Sequence, residues 1–221
     1  MKKFEVKYEM PISVENFIKN VCKDYLLELK DSFEVLGENP LHYRERQLSS
    51  FLFPALLNNS KKSLMEVSYY KEENIKGDDK KKVLYADFYS LSKDKKKSYI
   101  IEFKQAWDCL ERKDLYKISK DRWERVNEQI ENLKKKNVNE MIDGEKDIYG
   151  ISLYTLVVFT GEQDNKKIKE MLSEKIDNKF SDAHWVYIEE VEDNLENPDD
   201  NGVRFKYIVL LGKVKVIDKN K

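Results

Sequence analysis

The sequence predicts an α/β protein, a single domain over residues 1–221 with a mixed β-sheet flanked by helices. Three observations carry this. Segments with apolar residues at helical spacing interleave with segments that alternate like strands. Residues 149–160, YGISLYTLVVFT, are apolar at both parities, as a strand covered on both faces must be. Only 7 glycines and 4 prolines are present, no internal period is visible, and no shift of composition divides the chain.

Residues 13–31 predict a helix, with Ser13 as N-cap and Phe17, Val21, Tyr25 and Leu29 repeating along one face. Gly37, Glu38, Asn39 and Pro40 form a break. A second helix is expected from about Leu41, with Leu41, Leu48, Leu52 and Leu56 in one stripe and Glu45 inside it, or, if Leu56 beyond Pro54 leaves the stripe, at its edge, open to solvent or paired with Arg44, Arg46 or a lysine. Pro54 is expected to end or kink this helix.

Strands follow at 63–70, 83–91 and 98–104, with 71–82 as a polar loop and 92–97 as a hairpin connection. Residues 108–136 predict mostly helix, with Trp123, Val126, Ile130 and Leu133 on one face. After the central strand, residues 162–180 predict a helix. Residues 183–191 and 203–218 predict the last strands, around an acidic loop at 189–200.

Hydrophobic residues make up 40% and charged residues 38%, with the signs mixed rather than blocked as in disordered tails. Net charge is −1, but it is unevenly spread. Residues 41–140 hold 23 Lys and Arg against 17 Asp and Glu, while the rest of the chain holds 18 against 25. A locally basic surface favours polyanions. Two histidines and two widely separated cysteines leave little for a Ser-His-Asp triad or a zinc site, and the cysteine usage suits a reducing compartment. With no apolar leader and no run near the ~18 residues of a membrane span, a cytoplasmic protein with no membrane partner is expected.

The chemistry concentrates in residues 99–107, YIIEFKQAW. On a strand, Ile101 and Phe103 share one face and Glu102 and Lys104 the other. If 83–91 pairs with it as a hairpin, Asp87 lies near Glu102. Two adjacent carboxylates repel, and a hard divalent cation relieves them. A neighbouring ammonium can orient water or stabilise developing charge. Glu-x-Lys alone is uninformative, because it occurs at 5/7, 28/30, 102/104 and 111/113. Only 102/104 ends an apolar strand preceded by a strand bearing a lone Asp.

Asp87, fourteen residues, then Glu102-Phe103-Lys104 resembles the PD-(D/E)XK nuclease superfamily over about residues 41–160. Ala86 stands where the motif has Pro, and no Gln-x-x-x-Tyr follows. The resemblance implies a restriction-endonuclease-like fold and Mg2+- or Mn2+-dependent hydrolysis of nucleic acid, DNA first, by an endonuclease of restriction, defence or mobile-element type. It implies Asp87, Glu102, Glu45 and the Phe103 carbonyl as metal ligands. Lys104 would position the attacking water and Glu45 would support the metal or water, with Asp87 and Glu102 completing the catalytic set. A homodimer would suit cutting of both strands. The alternative is a catalytically inactive nuclease-fold module that binds nucleic acid or a protein.

Weaker pointers are Gln105 and Gln129 as polar neighbours, Tyr85 and Tyr89 on the face of Asp87, the loop lysines 93 and 95–97 as phosphate contacts, and Trp107 as packing. His184 is assigned no role.

Overall fold

A computed structural model describes residues 3–36, 45–75, 78–134, 138, 147–191 and 204–217, with the side chains of Leu36 and of 70–82 left aside. The elements run β1 (Lys3–Val6), α1 (Ile12–Leu36), α2 (Glu45–Asn59), β2 (Lys62–Ile75), β3 (Asp78–Leu91), β4 (Lys97–Cys109), α3 (Lys117–Glu131), β5 (Asp147–Thr160), α4 (Asn165–Lys179), β6 (Trp185–Glu190), β7 (Arg204–Gly212) and β8 (Val214–Val216). They build one eight-stranded mixed sheet, ordered β1-β6-β7-β5-β4-β3-β2, with β8 paired to β5. The four helices among the described residues flank it, a layout consistent with a restriction-endonuclease-like fold.

The most apolar segment takes the central place its composition demands. β5 is buried along nearly its whole length. It pairs in parallel with β4 and antiparallel with β7 and β8. A parallel neighbour needs a crossover, and α3 lies within that connection. One core joins α1 and α2 to the sheet through Phe17, Tyr25, Leu48, Leu52, Ile101 and Phe103. A second joins α3 and α4 through Trp123, Val126, Ile168, Leu172 and Phe180.

Several expectations are corrected. Pro54 lies inside a continuous α2. Proline's φ suits a helix, and fully buried Leu52, Ala55 and Leu56 hold the turns around it by packing. The polar segment 71–82 is not a loop: β2 and β3 pair from Lys62↔Leu91 to Ile75↔Asp78. Backbone pairing carries this hairpin through a stretch with almost no apolar pattern. Asp108 and Cys109 end β4 rather than begin a helix. Asp108 can be buried there because Lys175 Nζ donates to its Oδ1 at 2.8 Å and the Tyr116 amide to its Oδ2 at 3.0 Å. Residues 203–218 divide into β7 and β8. The break at 37–40, Leu41, and most of the acidic loop lie outside the described residues. Both cysteines are free, and no helix of the described residues is long and apolar enough to cross a membrane.

Candidate functional site

The site forms where the β3–β4 ladder opens. The two strands pair from Leu91↔Ser98 up to Phe88↔Ile101, and the next rung would be Asp87 against Glu102. There the ladder stops. Instead of a backbone carbonyl, the Asp87 side chain takes the Phe103 amide, which donates to Oδ2 at 2.7 Å. On the other side of β3, Met65↔Phe88 and Val67↔Ala86 flank an unpaired Glu66. Glu66 has φ 51°, the left-handed region that a residue with a Cβ adopts only under local constraint. Ala86 and Phe88 have the same parity, yet they pack in different clusters. β3 is therefore irregular at Asp87, and both neighbouring ladders yield there.

Glu45, Asp87, Glu102 and Lys104 are brought together across three elements. Lys104 Nζ donates to Glu45 Oε1 at 3.0 Å, to Asp87 Oδ2 at 3.3 Å and to the Phe103 carbonyl at 2.6 Å. The Glu45 and Asp87 side chains are 32% and 36% exposed, and Lys104 is 11% exposed. Glu45 is thus not sunk in the leucine stripe. It lies at a partly open edge and pairs with Lys104.

Glu102 is different. It is completely buried, and as a carboxylate neither oxygen has a hydrogen-bond partner. Burial, first, and then the charge of Asp87 push its pKa up to about 9, with Lys104 opposing and Glu45 adding to the rise. At neutral pH Glu102 is therefore protonated. A protonated carboxyl can donate to Asp87, so one proton serves two acids, which also relieves the orphaned oxygens.

Among the described residues no three His, Cys, Asp or Glu groups already surround one point as metal ligands. The ammonium of Lys104 stands between the oxygens instead. The donor set nevertheless fits a hard cation: three carboxylates, one of them buried with two unpartnered oxygens, and a backbone carbonyl. Asp87, Glu102, Glu45 and the Phe103 carbonyl are the groups that would hold Mg2+ or Mn2+.

Tyr69 was invisible to spacing arguments. It is 7% exposed on β2. Burial, first, and then the nearby charges of Glu102 and Asp87 together raise its phenol to about 12. Only a pairing of β2 with β3 could have pointed to it. Gln105 is fully buried, with no partner for its side-chain amide, so it is no polar edge. Arg122 donates to the Gln105 backbone carbonyl. The Gln129 Oε1 is buried without a partner. Tyr89 is buried and bonds to Ser98 Oγ at 3.1 Å, whereas Tyr85 is exposed. His184 Nδ1 accepts from the Val214 amide at 3.1 Å, a structural role. Lys93, Lys95 and Lys96 are exposed in the β3–β4 turn, and Lys97 is half-buried. No family model matches the chain, and neither a curated protein nor a solved structure does.

Proposed function

We propose that the protein is a Mg2+- or Mn2+-dependent nuclease of the PD-(D/E)XK type, hydrolysing phosphodiester bonds with DNA as its first substrate. The observation that carries this is the convergence of Glu45, Asp87, Glu102 and Lys104 at the opened rung of the β3–β4 hairpin. Four ionisable groups from α2, β3 and β4 meet there, and one of them is a buried acid with no partner when ionised. A fold gains nothing in stability from that acid, which points to a ligand.

The chain's own residues divide the work. Asp87 and Glu102, with Glu45 and the Phe103 carbonyl, would hold the cation. When bound, such an ion polarises a phosphoryl oxygen and lowers the pKa of water. Lys104 would orient the attacking water and stabilise charge that develops on the phosphoryl oxygens. The basic excess of residues 41–140 and the lysines of the β3–β4 turn would meet the phosphate backbone without reading sequence. A second copy would be needed where both strands are cut.

Incubation with linear and supercoiled DNA and with RNA, in Mg2+ and in Mn2+, tests this. Cleavage is expected in at least one substrate, abolished by chelator and by Asp87→Ala or Lys104→Ala. Cleavage that survives both substitutions refutes the site.

One observation favours a second reading, a nuclease-fold module that binds nucleic acid or a protein without cutting. Lys104 already pairs with both Glu45 and Asp87, so two of the acids have a cationic partner without any metal. DNA binding with no heat of Mg2+ or Mn2+ binding would select it.

A further inference from the structure

We propose that the Lys104 ammonium is a tethered cation that fills the oxygen cage of the candidate centre and must withdraw before a divalent cation enters. This rests on the metal-dependent reading above and adds a control to it: the protein carries its own competitor for its metal.

The geometry is specific. A lysine ammonium has three donors. Here it finds three oxygens from three elements: Glu45 Oε1 of α2 at 3.0 Å, Asp87 Oδ2 of β3 at 3.3 Å and the Phe103 carbonyl of β4 at 2.6 Å. These are the oxygens a metal would use. Magnesium binds its oxygens at about 2.0–2.1 Å, so the three cannot close on an ion while the ammonium lies among them. Lys104 is held rather than waving in solvent, being only 11% exposed. Charge-assisted bonds of this kind are stronger than neutral ones.

A second observation is independent of these contacts. Glu102, completely buried, has two oxygens that no group in the fold satisfies as a carboxylate. The ammonium uses the other three donors of the set and leaves this one. The cage is thus built for more charge than Lys104 supplies. An exit also exists. The four-carbon stem of lysine is flexible, and the Glu45 and Asp87 side chains are each about one-third open to solvent.

The expected consequence is a reduced apparent affinity. A ligand that binds only the open form loses affinity in proportion to the closed fraction. A cage closed in roughly nine-tenths of molecules would cost about tenfold.

The test uses the full-length protein and Mn2+ as probe, with two readouts. Calorimetry compares the wild type with Lys104→Met, which keeps the stem and removes the ammonium. The variant is expected to bind Mn2+ about tenfold more tightly, and binding by the variant alone is the extreme form of that result. Removal of a positive charge would also raise cation affinity, so the second readout separates exclusion from repulsion. Amine-selective acylation of Lys104 in the wild type, followed by mass spectrometry, is expected to be slow without metal and faster with saturating Mn2+. Wild-type protein that binds Mn2+ with Lys104 acylation unchanged or slowed overturns the tethered-cation inference and leaves the metal centre standing. Mn2+ binding to neither protein overturns both.

Discussion

At the scale of single residues, two buried acids meet opposite fates. Asp108 is fully buried and fully compensated. Lys175 Nζ reaches its Oδ1 at 2.8 Å and also donates to the Arg112 carbonyl at 3.2 Å. Removing one member of such a pair leaves a buried charge alone, at a cost of about 3–5 kcal/mol. Chemical denaturation of Lys175→Ala should show a loss of that size with an unchanged m-value. Glu102 is fully buried and, as a carboxylate, uncompensated. Its folded-state pKa, about 9, lies far above the unfolded value. The folded state therefore keeps a proton that the unfolded chain releases. That contribution is fully present below the unfolded pKa near 4.5, and it is lost as pH rises from there through about 9. Each unit of difference is worth about 1.4 kcal/mol. With chelator present, Glu102→Gln should melt at least about 4 °C above the wild type at pH 9, with the gap closing towards pH 5. Equal melting curves at both pH values would show that Glu102 does not titrate as described.

At the scale of elements, close approach and packing override local rules. Gly212, at the end of β7, has no room for a side chain: a Cβ there would lie 1.8 Å from the Ser152 backbone oxygen and 2.9 Å from the Trp185 ring. Since backbone cannot step aside, Gly212→Ala should force β7 from β5 and destabilise by about 3 kcal/mol or more in a denaturant titration. Pro54 is the opposite case. It occupies a helix interior that its neighbours hold in place. Pro54→Ala restores a backbone donor and is expected to leave stability unchanged or raise it, by up to about 3 kcal/mol. A clear loss would mean that the Pro54 ring packs in a way no alanine replaces.

The same contrast explains what the sequence showed. Periodicity found the elements whose partners are apolar, such as α1 and β5. It missed the far half of the β2–β3 hairpin, whose residues lack an apolar pattern and are joined by backbone pairing. It also placed Asp108 in a helix, because the lysine that permits a buried aspartate on a strand lies 67 residues away.

At the scale of the whole molecule, the candidate site depends on a topology that no local pattern encodes. Asp87, Glu102 and Lys104 were legible because a hairpin joins them within a short span. Glu45 was legible as an acid in a leucine-rich helix, although its partner was not: Lys104 is 59 residues distant. Tyr69 and the strained Glu66 were illegible, since only the pairing of β2 with β3 brings them near Asp87. The long edge strand β2 is therefore more than a border of the sheet. It supplies the irregular rung that lets the Asp87 side chain take the place of a backbone acceptor.

The central claim is that this opened rung is a cation-dependent centre for phosphodiester hydrolysis. The most direct measurement is the initial rate of DNA cleavage by the wild type and by Asp87→Asn at saturating Mg2+, in preparations with matching melting temperatures. The expected result is cleavage that chelator abolishes and that falls about 100-fold or more in the variant. Equal rates in the two proteins, or cleavage that persists in chelator, would contradict the account.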